Sequence, residues 1–111
     1  IIHMTKISHN LIMNSLEELK AGDTKILSLK DISSFTDIMI ITSGTSSRHM
    51  SAISDKIQEN LKEKSISIIS VEGKGSSEWV LLDLGDIVVN IMSKSARELY
   101  DLESLWDPDL L

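Results

Sequence analysis

The chain has 111 residues, 41% of them hydrophobic, which suits one domain and leaves little room for two. The absence of cysteine rules out a disulfide framework and a thiolate metal site. The formal net charge of −6 argues against gripping RNA or DNA through phosphates, which needs a positive stripe; the densest basic pair, Lys62 and Lys64, has Glu63 between its members. An acidic domain of this size is better suited to a basic protein partner, whose charge also speeds encounter.

Folding at this size buries roughly 60–70% of the extended chain's surface, enough for one core without staples. No apolar run approaches the ~20 residues needed to span a bilayer, and no signal-peptide pattern opens the chain. The expectation is a cytoplasmic protein with no membrane partner. Ile1, Ile2 and His3 are read as an extraneous remnant before a natural start at Met4, leaving residues 4–111 as the domain.

In chain order, residues 8–21 carry Leu11, Ile12, Leu16 and Leu19 at helical spacing, and Gly22 is the expected stop. Residues 25–29 alternate as a short strand. Residues 36–42 form a second, isoleucine-rich strand expected to be buried on both faces. Residues 43–46 turn into a helix whose stripe is Met50, Ile53, Ile57 and Leu61, with Asp55, Lys56, Glu59 and Lys62 outside it. A third strand is expected over residues 65–71, followed by a polar loop over 72–77. A β-hairpin then pairs residues 78–84 with 87–93 across Gly85-Asp86, a link that suits a tight primed turn. The last helix is expected from Lys94 to about Asp101, with Ala96, Leu99 and Tyr100 available for packing. A strand–helix–strand crossover followed by a hairpin predicts an α/β fold: a mixed five-stranded sheet with packed helices, in a single domain.

The hairpin carries the most information. Pairing across its turn sets Leu84 beside Ile87, Leu82 beside Val89 and Val80 beside Ile91, six apolar side chains on one face. The opposite face sets Trp79 beside Met92, Leu81 beside Asn90 and Asp83 beside Val88. A large aromatic with aliphatics, an amide and a carboxylate is the composition of a protein-binding surface. In the competing reading, Trp79 packs beneath a helix and Met92 fills space beside it.

Tyr100, Leu102, Glu103, Leu105 and Trp106 close the chain's last helix and its extension, and form a second candidate contact set of aromatics with a polar rim. A continuing helix places Tyr100 and Glu103 on one face. In the plainer reading, Leu102 and Leu105 cover the core and Trp106 pins the tail.

The Gly44-Thr45-Ser46-Ser47-Arg48 turn can be read as a phosphate-facing helix start or, more simply, as a serine cap. It lacks the full phosphate-loop spacing and its lysine. Asp83 and Asp86 flank a turn, where carboxylates are mostly structural. Asp37 stands at a strand start, suited to ordering the turn. His9 and His49 have neither a third ligand at metal-like spacing nor a nucleophile partner. No metal, cofactor or catalytic set is expected.

Five blocks, taken together, resemble the ribosomal silencing factor family, also called RsfS or Iojap. They are residues 31–37 (Asp31 through Phe35 to Asp37), 42–49 (Thr42-Ser43-Gly44 to Arg48-His49), Val71-Glu72-Gly73, 78–89 (Glu78-Trp79 to Val89) and 97–106 (Arg97 through Tyr100-Asp101-Leu102 to Trp106). The resemblance runs from Leu11 to Trp106. It implies a nucleotidyltransferase-like fold used without catalysis, and Arg48-His49 stand where a true nucleotidyltransferase has paired acids for metal. It further implies binding to large-subunit ribosomal protein fourteen on the large ribosomal subunit, steric block of subunit joining under nutrient limitation, and a homodimer when free. Asn90 departs from the histidine usual in the family, which removes any contact needing an imidazole. The alternatives are a nucleotidyltransferase-fold enzyme and a dimeric adaptor for another protein.

Overall fold

The computed structural model describes residues 2–105, with side chains from residue 5 onward; Trp106 therefore lies outside the described residues. Helix α1 (Ile2–Glu18) leads to β1 (Gly22–Ser28) and β2 (Ile38–Ser43), and α2 (Ser47–Glu63) follows. Strands β3 (Ser70–Glu72), β4 (Trp79–Asp83) and β5 (Ile87–Met92) come next, then α3 (Lys94–Tyr100) and the single turn α4 (Leu102–Leu105). The five strands form one sheet in the order β1-β2-β5-β4-β3, with β2 and β5 parallel and every other pair antiparallel. The mixed five-stranded sheet expected from the element order is the one observed.

Each face of the sheet has its own cover. Ile12 and Leu16 of α1 and the Met50, Ile53, Ile57, Leu61 stripe of α2 pack on Ile40, Val80, Leu82, Ile87, Val89 and Ile91, and all but Leu16 are wholly buried. On the reverse face a smaller cluster joins Ile41, Met92 and Ala96, with Leu27, Met39, Trp79 and Leu102 packed on it. The α1–α2 contact accommodates the buried Ser15 and Ser54 because each has a partner: Asn60 donates to Ser15 Oγ at 2.7 Å and Gln58 to Ser54 Oγ at 3.0 Å.

The hairpin register is the expected one, with Trp79 opposite Met92, Val80 opposite Ile91, Leu81 opposite Asn90, Leu82 opposite Val89 and Asp83 opposite Val88. Its turn is closed by the Leu84 amide donating to the Ile87 carbonyl at 2.9 Å, with Gly85 at φ +95°.

Strands β1 and β2 are offset from the expected 25–29 and 36–42, and three helix ends differ from expectation through backbone closures that periodicity does not reveal. Helix α1 begins at Ile2 and ends before Gly22: Lys20 takes φ 55°, its amide reaches the Glu17 carbonyl at 3.1 Å, and the Ala21 amide reaches Leu16 at 2.9 Å. That is a Schellman closure with lysine in the left-handed position usually held by glycine. Helix α2 ends the same way, with Ser65 at φ 56° and the Ile66 amide on the Leu61 carbonyl at 2.9 Å. Residues 65 and 66 are thus consumed in stopping a helix, and the third strand shrinks from the expected 65–71 to Ser70–Glu72. Finally, α3 ends at Tyr100 because Asp101 is left-handed, at φ 44° and ψ 54°.

Candidate functional site

Strand β4 projects Trp79, Leu81 and Asp83 onto the reverse face, all half-buried. Pairing places Val88 beside Asp83 on one side, and Ser70 and Glu72 of β3 opposite Asp83 and Leu81 on the other. The result is an apolar row with carboxylates at its border, since Glu72 is exposed and Asp83 half-exposed. Asp83 is also structural, because its Oδ1 accepts from the Gly85 amide at 2.8 Å across the turn. Sequence reasoning placed Glu72 in a polar loop; the β3–β4 register brings it to this face.

The row is extended by an elbow. Ser93 caps α3, its Oγ accepting from the Ala96 amide at 3.1 Å, and Ala96 is buried against the sheet. The left-handed Asp101 then reverses the chain into α4. Tyr100 stacks on Trp79, ring centroids 5.1 Å apart at a 45° tilt. Leu102 turns inward, partly buried against the Ile41–Met92–Ala96 cluster, while Leu105 is 61% exposed. Leu99, expected to be available for packing, is 75% exposed, one residue before Tyr100.

Two of the expected docking residues are not at the surface. Asn90 and Met92 are 1% and 0% exposed: Ala96 and Leu102 of the α3–α4 elbow pack in the cluster that holds Met92, and Asn90 is bonded to the Trp79 indole and the Ile40 carbonyl. Asn90 instead orients Trp79: its Oδ1 accepts from the indole Nε1 at 2.9 Å. Trp79 is accordingly neither wholly covered nor free, but half-buried with its N–H satisfied from below.

The expected helical pairing of Tyr100 with Glu103 is also corrected, since the helix does not continue through Asp101. Glu103 Oε1 instead accepts from Arg97 Nε at 3.0 Å and Nη2 at 2.7 Å. Arg97, which sequence reasoning did not single out, has a side chain only 7% exposed. It also lines an open cleft of about 1230 Å³ at the carboxyl ends of β2 and β5, with Asp23, Ser43, Gly44, Ser93 and Glu103 among its walls.

The serine-rich turn is a helix cap. Ser46 Oγ accepts from the His49 amide at 3.0 Å, and His49 Nδ1 in turn accepts from the Thr45 amide at 2.9 Å. Gly44 is needed there for close approach, because an added Cβ would lie 2.4 Å from Met50 Cγ and 3.2 Å from its backbone nitrogen. Asp86 accepts from the Thr5 hydroxyl, tying the β4–β5 turn to α1. Among the described residues, no group of three or more His, Cys, Asp or Glu side chains is placed to hold a metal ion. No helix among them is long and apolar enough to cross a membrane.

Comparison with known proteins points one way. The family model described as ribosomal silencing factor during starvation matches residues 3–109. A Haemophilus influenzae protein named ribosomal silencing factor RsfS is 41% identical over 95 residues, which span 86% of this chain and 93% of that one. A mouse protein named mitochondrial assembly of ribosomal large subunit protein 1 is 32% identical over 91% of this chain and 46% of its own. Among solved structures, a Chromobacterium violaceum protein superposes with a TM-score of 0.87 at 37% identity, covering 91% of this chain and 84% of that one. A Bacillus halodurans protein gives 0.82 at 35%, covering 91% and 94%.

Proposed function

The chain belongs to the ribosomal silencing factor family, and on that premise we propose that it is a translational repressor acting as a wedge on the large ribosomal subunit. It binds large-subunit ribosomal protein fourteen and occupies the surface where the small subunit would dock, lowering translation when nutrients are scarce. Its activity is binding, not catalysis.

The observation that carries this reading is the Trp79–Leu81 row with Tyr100 stacked at its end and Glu72 and Asp83 at its border. Aromatic anchors in a partly desolvated setting supply most of the energy of a protein interface. Carboxylates at the rim favour a lysine- and arginine-rich partner such as a ribosomal protein. A standard interface takes about 800 Å² from each partner, a modest share of the 6779 Å² accessible here, so one face suffices. The name of the mouse relative joins that protein to the large subunit, which supports the choice of subunit. When no ribosome is present, the free chain is a homodimer in this reading.

The test is sedimentation of purified large and small subunits under joining conditions, with and without the protein. Co-migration with the large subunit and loss of joined ribosomes is the expected result. Co-migration without loss of joining would leave an adaptor, and no co-migration across a range of salt would overturn the proposal.

A further inference from the structure

A helix of four residues cannot hold itself in place, because nucleating a turn costs more than its few hydrogen bonds return. The position of α4, and with it the elbow that borders the Trp79 row, must therefore be set from outside. Two contacts do so. Leu102 is packed into the Ile41–Met92–Ala96 cluster. Arg97 supplies the other through the full fork of its guanidinium.

That fork spans three elements. Nε and Nη2 grip Glu103 Oε1 at 3.0 and 2.7 Å. Nη1 donates to Ser43 Oγ at 3.0 Å, to the Asp23 carbonyl, and lies 3.6 Å from the Asp23 carboxylate. The start of β1, the end of β2 and α4 are thus tied at one buried cation. Asp101, left-handed between Arg97 and Glu103, is the pivot that the tie holds. Planar geometry matters here, since a lysine ammonium is a compact point charge without a fork able to serve all these acceptors in one plane.

We propose that Arg97 is the positioning residue of the docking face. It does not touch the partner. It fixes the α3–α4 elbow so that Tyr100 lies against Trp79 and Leu102 packs on the Ile41–Met92–Ala96 cluster, and so presents the anchor in a preorganised shape. This rests on the large-subunit reading given above.

The experiment uses the full chain and its variants Arg97→Met, Arg97→Lys and Glu103→Gln, with Ile57→Val as a control that loosens the core on the opposite face. Two quantities are measured: backbone ¹⁵N relaxation in the free protein, and affinity for purified large subunits by sedimentation. Arg97→Met is expected to raise the fast mobility of residues 101–105 while the amides of β4 and β5 stay rigid, and to weaken binding about tenfold or more. Arg97→Lys and Glu103→Gln should fall between parent and Arg97→Met, and they carry the test if Arg97→Met does not fold. Ile57→Val should leave both quantities at parent values. Residues 101–105 as ordered in the three elbow variants as in the parent would overturn the proposal, as would loosened elbows with undiminished affinity. Should the parent itself fail to bind large subunits, the functional reading falls and the relaxation data alone judge whether Arg97 holds the elbow.

Discussion

The indole Nε1 of Trp79 donates to Oδ1 of the buried Asn90 at 2.9 Å, so the most prominent aromatic of the candidate face is oriented by an amide that never reaches the surface. The two lie on adjacent strands, Trp79 opposite Met92 and Asn90 opposite Leu81, and the bond runs diagonally beneath the row. Anchor and support are therefore separable by mutation.

Trp79→Ala removes the proposed anchor. It should keep the far-ultraviolet circular dichroism of the parent and lose about 2 kcal/mol of binding to large subunits, roughly thirtyfold in affinity. Sedimentation titration checks this, and unchanged affinity in a folded variant would move the anchor elsewhere on the surface.

Asn90→Leu keeps the branched heavy-atom skeleton, with bulkier methyls in place of the amide, and leaves the indole N–H without its acceptor. The expected cost is about 1 kcal/mol of stability, read as a shift of the urea midpoint at constant slope. Asn90→His installs the residue that the family resemblance leads one to expect. An imidazole nitrogen can replace the amide oxygen as acceptor, so its urea midpoint should lie nearer the parent's than that of Asn90→Leu.

Ser65→Gly relieves a left-handed residue at the end of α2, where φ is 56° and both closing hydrogen bonds are backbone to backbone. A gain of about 0.5–1 kcal/mol is expected, net of the extra unfolded-state entropy of glycine. Thermal melting should show the midpoint rise by a few degrees.

Gly44→Ala does the reverse. Its Cβ would sit against the Met50 backbone as well as the side chain, so relief by rotamer alone is insufficient. The loss should be about 1–3 kcal/mol, measured by chemical denaturation. Ser46→Ala, which removes only the cap, should cost about 1 kcal/mol.

Strict alternation made the hairpin legible: the pairing of residues 79–83 with 88–92 follows from period two and a Gly-Asp turn, and it is the register observed. The α2 stripe was equally plain, because Met50, Ile53, Ile57 and Leu61 repeat at helical spacing and are all fully buried. The helix ends were not, because Lys20 and Ser65 occupy a conformation that residue type does not advertise. At the candidate face, alternation correctly put Asn90 and Met92 on the same side as Trp79. The burial of Met92 goes with the packing of Ala96 and Leu102 from the α3–α4 elbow, and that of Asn90 with the Trp79 indole bonded to it, tertiary events no local pattern encodes. Arg97 was missed for the same reason. Its neighbours Asp23 and Ser43 are far away in sequence, and a basic residue on a terminal helix ordinarily faces solvent.

The parallel pairing at the centre of the sheet also dictates when the molecule can form. Ile38 has its partner in Ile87, and β2 cannot complete its ladder until β5 exists. Contacts of such wide sequence separation slow folding, since a long loop must close before they contribute. The β1–β2 pair and the β3–β4–β5 meander are each local and can assemble separately, but the two halves of the sheet join only when β2 meets β5. During synthesis β2 therefore emerges before its parallel partner exists, and the sheet closes only when β5 has been made.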